Sequence, residues 1–221
     1  MEQGMRLILR RREMSNITTL IFDMYGVIIE ESKGNFIPYT YNHFEESEYE
    51  RITRQFRVEK LFTKAGNGEI GSDEFLSLLG FENPKFHMRD YIENHLTLDA
   101  GFIPFAEQFA GKYDFVLLSN DVSEWSAYIT EFHGIDKYFS QKIVSGDVKC
   151  RKPDRRIYEL ALTRIGKKPE ECLFIDNTAK NLYVAQELGI VPVMFDRDKE
   201  EYAGTKVNSF EELAKVIGGL T

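Results

Sequence analysis

The residues best suited to chemistry stand where short apolar runs stop. Ile17–Phe22 (ITTLIF) ends in Asp23, followed by Tyr25 and Gly26. Asp114–Leu118 (DFVLL) ends in Ser119, Asn120 and Asp121, and Cys172–Ile175 (CLFI) ends in Asp176 and Asn177. A cationic loop, Val148-Lys149-Cys150-Arg151-Lys152-Pro153, completes the set. A carboxylate, a hydroxyl, a lysine and a second carboxylate suit an anionic substrate, a divalent cation, or both. Two neighbouring carboxylates ionise together more readily with a cation between them.

These groups act together only if the runs that carry them lie side by side. Each run is short, apolar and bounded by turn residues, the pattern of a buried strand. Lys142–Val144 (KIV), stopping at Ser145-Gly146-Asp147, and Val191–Phe195 (VPVMF), stopping at Asp196, follow the same grammar. Helical patterns lie between them. Ile157, Leu160, Ala161 and Ile165 share one face closed by Gly166, and Leu182, Ala185 and Leu188 share another closed by Gly189. Ser209 with Glu212 forms a capping signature before Leu213, Val216 and Ile217. Alternating strands and helices predict an α/β fold, a doubly wound parallel sheet of Rossmann-like type. In such a sheet ligands bind beyond the carboxyl ends of the strands, where the polar residues above stand.

Residues 33–100 read differently, with no comparable strand. Tyr49, Ile52 and Phe56 fall at helical spacing, with Glu50 and Arg54 placed for an i,i+4 pair. Phe75, Leu76, Leu78 and Leu79 predict a second helix after Gly71-Ser72. The expected organisation is an N-terminal extension (1–16), a core made of 17–32 and 101–221, and an inserted α-helical cap (33–100). Asn67-Gly68-Glu69-Ile70 resembles part of a calcium loop, but Thr63 and Ala65 stand where carboxylates would be needed.

Composition narrows the function further. The 221 residues carry a net charge of −8, which argues against a nucleic-acid partner that needs a basic face. The 43% hydrophobic and 29% charged residues are ordinary for a globular protein. Cys150 and Cys172 are too few for a disulfide framework or a cysteine-rich zinc site and read as free thiols. No apolar run approaches the roughly 18 residues of a membrane span. Leu7-Ile8-Leu9 is too short for a secretory signal, so a cytoplasmic protein without a membrane partner is expected.

IFDMYGVII, LLSND, RKPDRRIYELAL and LFIDNTAKN resemble, in order and rough spacing, the four motifs of the haloacid dehalogenase-like hydrolase superfamily. The resemblance is to the branch with a helical cap after the first strand, and covers the chain from about Ile17 onward. It implies that Asp23 is a nucleophile forming a covalent aspartyl intermediate, and that Ser119, with Asn120 beside it, binds the transferring group. It implies that Lys152 orients the nucleophile and offsets negative charge. It further implies that Asp23, the Tyr25 carbonyl, Asp176 and Asn177 hold Mg²⁺.

Two positions depart from the family's phosphatases. Tyr25 stands where they usually carry an Asp acting as general acid and base. A phenol, with a reference pKa of about 10, donates a proton but is a poor base at neutral pH. Asn177 stands where a second carboxylate is common, which weakens the expected metal site. The expectation is a slow Mg²⁺-dependent phosphatase of a small phosphorylated metabolite. The alternatives are a metal-independent 2-haloacid dehalogenase, which Tyr25 also resembles, and a non-catalytic binding module on the same fold.

Overall fold

The structure, a computed structural model, describes residues 17–219. The proposed N-terminal extension lies outside the described residues. Six strands form a single all-parallel sheet in the order β3-β2-β1-β4-β5-β6. They are β1 (Thr19–Phe22), β2 (Asp114–Ser119), β3 (Phe139–Val144), β4 (Cys172–Asp176), β5 (Val191–Phe195) and β6 (Thr205–Val207).

The pleat explains why the central strands read as unbroken apolar runs. Leu20 and Phe22 of β1, with Leu173 and Ile175 of β4, face one hydrophobic layer. Ile21 and Phe174, from the same strands, face the other. Alternate side chains point to opposite faces, and both faces are covered. The first layer is completed by α6 (Phe102–Phe109), α7 (Ser123–Phe132) and α11 (Phe210–Gly218). The second is completed by α9 (Arg155–Ile165) and α10 (Ala179–Glu187). Gly166, at φ 65°, closes α9 in the left-handed conformation that glycine adopts without strain. Ser209 caps α11 by accepting from the Glu212 amide at 3.2 Å.

Between β1 and α6 the chain inserts five α-helices: α1 (Phe36–Asn42), α2 (Tyr49–Arg57), α3 (Leu61–Gly66), α4 (Ser72–Leu79) and α5 (Pro84–His95). Aromatic packing holds this insertion together. Phe36 lies against Phe75, Tyr91 and, from the core, Trp125, with ring centroids 5.5, 5.1 and 4.7 Å away. The insertion is therefore continuous with one face of the sheet. Its two connections are tied to each other. Glu30 N donates to Thr97 O and Asp99 N to Ile28 O, each at 2.9 Å, while the Glu31 carboxylate accepts from Thr97 N and Oγ1. The ion pair expected within α2 is not formed: Arg54 turns to Glu59 at 3.5 Å, which follows the bend at the helix end. A short helix, α8 (Ser145–Val148), leads from β3 into the cationic loop.

Candidate active site

The strand order reverses between β1 and β4, so the chain leaves a crevice there at the carboxyl edge. Asp23 follows β1 and Asp176 ends β4, paired in register through Phe22 and Ile175. Asp23 N donates to Ile175 O at 2.9 Å, which fixes the backbone that carries the carboxylate. Lys152 lies between them. Its Nζ is 2.7 Å from Asp23 Oδ1 and 2.8 Å from Asp176 Oδ2, and all three side chains are buried or nearly so.

One ammonium shared by two buried carboxylates leaves an excess negative charge. Burial pushes the Asp23 carboxyl up to about 7, the nearby Asp176 charge adds to this, and Lys152 opposes it. The Lys152 ammonium is itself held above its ordinary value, because the two carboxylates outweigh its desolvation. Asp23 Oδ1 also accepts from Met24 N at 2.7 Å.

Asp176 is held from every side. Its Oδ1 accepts from Thr178 N at 2.8 Å and Asn181 Nδ2 at 3.1 Å, and its Oδ2 from Lys152 and again from Asn181 at 3.0 Å. In this arrangement it orients Lys152 and presents no unoccupied oxygen to a cation. To ligate a cation, as the sequence motif implies, Asp176 would have to release one of these contacts. Asn120, which lines the cavity, also has a structural task. Its Oδ1 accepts from Lys152 N at 2.8 Å and its Nδ2 donates to Lys152 O at 2.9 Å. One hydrogen bond at each amide atom clamps the backbone of the lysine loop. Ser119 ends β2 fully buried, its Oγ without a partner among the described residues.

Tyr25 is half-buried, and its hydroxyl donates to Asp121 Oδ1 at 3.3 Å. Burial, with the Asp121 charge beside it, raises the phenol well above its ordinary range, so it remains protonated. Asp121 is buried, and desolvation raises its carboxyl to about 8 against the pull of the Val122 amide. Its Oδ2 has no partner among the described residues.

The oxygens that fit a hard cation are few. Beyond Asp23, these are the Tyr25 carbonyl, which accepts no hydrogen bond from the described residues, and Asn177 Oδ1. Asn177 is buried against Gly26, where an added Cβ would lie 2.2 Å from its Nδ2. This set suits Mg²⁺, which keeps several waters, but it carries one negative charge where two carboxylates would supply two. Among the described residues no group of three or more His, Cys, Asp or Glu could hold a metal ion.

The site opens into a cavity of about 560 Å³. Asp23, Tyr25, Asn120, Asp121, Lys152 and Asn177 line its floor, while Phe62 and Tyr91 reach in from the insertion. Ser119 is not among the lining residues. Sequence reasoning missed Asp121, Phe62, Tyr91 and Asn181 as site residues. Asp121 had a signal, since it directly follows Ser119-Asn120 at a strand end. The two insertion aromatics had none, because their facing depends on how the helices pack. No helix of the described residues is long and apolar enough to cross a membrane.

Comparison with known proteins places the chain among relatives. Residues 17–189 match the profile of a hydrolase family described as haloacid dehalogenase-like hydrolase. A glyceraldehyde 3-phosphate phosphatase of Methanocaldococcus jannaschii is 28% identical over 106 residues, 45% of this chain and 46% of that protein. An (S)-2-haloacid dehalogenase 4A of Burkholderia cepacia is 32% identical over 107 residues, 46% of each. The matched stretch thus spans about half the length of these curated relatives. Among solved structures, a similar fold is that of an enzyme from Bacteroides thetaiotaomicron crystallised with magnesium and inorganic phosphate. It has a TM-score of 0.69 and 22% identity, over 85% of this chain and 98% of that one.

Proposed function

Since the chain belongs to the haloacid dehalogenase-like hydrolase family, we propose that it is a phosphatase of a small phosphorylated metabolite, with Asp23 as nucleophile. The observation that carries the reading is the Lys152 ammonium bridging Asp23 and Asp176 at the floor of a roomy cavity. The Asp23 carboxylate attacks phosphorus, and the alkoxide leaves. Lys152 holds the attacking carboxylate in place and offsets the charge that builds on the phosphoryl oxygens. Tyr25, kept protonated, donates to the leaving oxygen by turning its hydroxyl from the long contact with Asp121. Asp23, the Tyr25 carbonyl and Asn177 would hold Mg²⁺, which when bound supplies a further positive charge at the phosphoryl group. The magnesium and phosphate reported with the Bacteroides thetaiotaomicron enzyme support this reading. With no carboxylate two residues after Asp23 to activate water, breakdown of the aspartyl-phosphate is the slow step.

A second reading has one specific support. Asp176 has both oxygens engaged by protein, which suits a site that works on carbon without a metal, as in a 2-haloacid dehalogenase. The test is phosphate release from a panel of phosphate esters with and without Mg²⁺, beside halide release from a 2-haloacid without metal. The phosphatase reading expects Mg²⁺-dependent phosphate release that Asp23→Asn abolishes. Halide release alone would replace it with the dehalogenase reading.

A further inference from the structure

The cavity is asymmetric in charge. Its floor sets Asp23 and Asp121 beside the single ammonium of Lys152, which the Asp23 and Asp176 carboxylates already engage, whereas its rim carries Lys33, Arg151 and Lys180. The rim's carboxylate, Asp154, is already taken. Arg156 grips it with Nη2 at 2.6 Å and Nε at 3.0 Å, and the Asp154 side chain also caps α9. The three rim cations have no hydrogen-bond or ion-pair partner for their side chains among the described residues.

Arg151 is the informative member. Lys33 and Lys180 are exposed and water solvates them, but Arg151 is only partly exposed. Its burial disfavours the charged form, and no neighbouring carboxylate compensates. A desolvated guanidinium without a counter-ion is costly, and covering it further with a neutral ligand adds to that cost. An anionic ligand group reverses the sign, because a planar guanidinium pairs with a carboxylate or phosphate through two parallel hydrogen bonds. Arg151 is also adjacent in sequence to Lys152, whose backbone Asn120 clamps. Its place relative to the nucleophile is thereby set by the core.

We propose that Arg151 recognises a second anionic group of the substrate, a carboxylate or a second phosphate, remote from the phosphate that meets Asp23. Lys33 and Lys180 add longer-range attraction. This rests on the phosphatase reading and narrows its substrate class to small phosphate esters with an acidic far end.

The test is calorimetric titration of the Asp23→Asn chain with Mg²⁺, which measures binding without turnover. The probes are 3-phosphoglycerate, with a far carboxylate, propane-1,3-diol bisphosphate, with a far phosphate, and glycerol 3-phosphate, whose far end is neutral. At least one acidic probe is expected to bind about 10- to 100-fold tighter than the neutral one, the range of a charge-assisted hydrogen bond. Whichever acidic probe is preferred identifies the group. Adding Arg151→Gln is expected to erase that preference without weakening glycerol 3-phosphate, and Arg151→Lys to restore part of it. Equal affinity for all three probes overturns the inference and leaves the phosphatase reading standing. A preference that survives Arg151→Gln in a chain with unchanged thermal unfolding overturns the assignment to Arg151. Binding of none of the three overturns the inference together with the reading beneath it.

Discussion

Replacing Lys152 by Met removes the ammonium while keeping most of the side chain's length and apolar packing. Lys152 is 3% exposed and lies within 2.8 Å of both Asp23 and Asp176. Removing one partner of a buried ion pair costs about 3–5 kcal/mol, because the other charge is left uncompensated. Here two carboxylates lose their shared cation, so the upper part of that range is expected at pH 8. The pH dependence follows from the carboxyls. Asp23 already titrates at about 7 in the fold with Lys152 present, against about 3.9 in an unfolded chain. A carboxyl raised on folding binds its proton more tightly in the folded state, so stability falls as pH rises from the unfolded towards the folded value. Without Lys152 the folded value of Asp23 rises further, since the ammonium that opposed its burial is gone. Relative to wild type, Asp23 then costs about 1.4 kcal/mol more per pH unit only above about pH 7, where it ionises in the wild-type fold and stays protonated in the variant. At pH 5 Asp23 is neutral in both proteins, and the loss shrinks to that of the Lys152–Asp176 pair. Urea unfolding of wild type and Lys152→Met at pH 5 and pH 8 measures both numbers. A loss under about 1 kcal/mol at pH 8, or one that does not change with pH, would refute the reasoning.

Other perturbations probe the supporting structure. Asn120→Ala removes both hydrogen bonds to the Lys152 backbone and is expected to cost about 1–3 kcal/mol in urea unfolding, with a larger proportional fall in kcat than in KM. Asn177→Asp adds a carboxylate beside the Tyr25 carbonyl and Asp23, and is expected to tighten Mg²⁺ binding about tenfold by calorimetry. Gly68→Ala places a side chain on a residue at φ 67°, with its Cβ 1.9 Å from the Gly146 carbonyl oxygen, and is expected to lower stability by at least about 2 kcal/mol in thermal unfolding.

Much of this was legible because buried parallel strands read as continuous apolar runs. β1, β2 and β4 stop where the runs stop, so the strand-end rule found Asp23, Ser119 and Asp176 directly. β6 escaped it, being a three-residue edge strand with exposed Lys206 at its centre. The helices that close on Gly166 and Gly189 were readable because a residue at positive φ marks the stop. What the residues do to one another was harder to read. That Asn120 clamps Lys152, and that Asn181 occupies Asp176, depend on contacts between elements far apart in sequence. Tyr91 and Phe62 reach the cavity only because the inserted helices pack on Trp125. Glu50–Arg54 shows the converse error, since helical spacing permits a pair without choosing it over Glu59.

The central claim is that Asp23 bonds to phosphorus during turnover. Borohydride added to the working enzyme reduces an acyl phosphate to an alcohol, and peptide mass spectrometry locates the change. The account predicts reduction at Asp23, dependent on both Mg²⁺ and a phosphate ester. Phosphate release with Asp23 recovered unmodified, under conditions that reduce a control acyl phosphate, would contradict it.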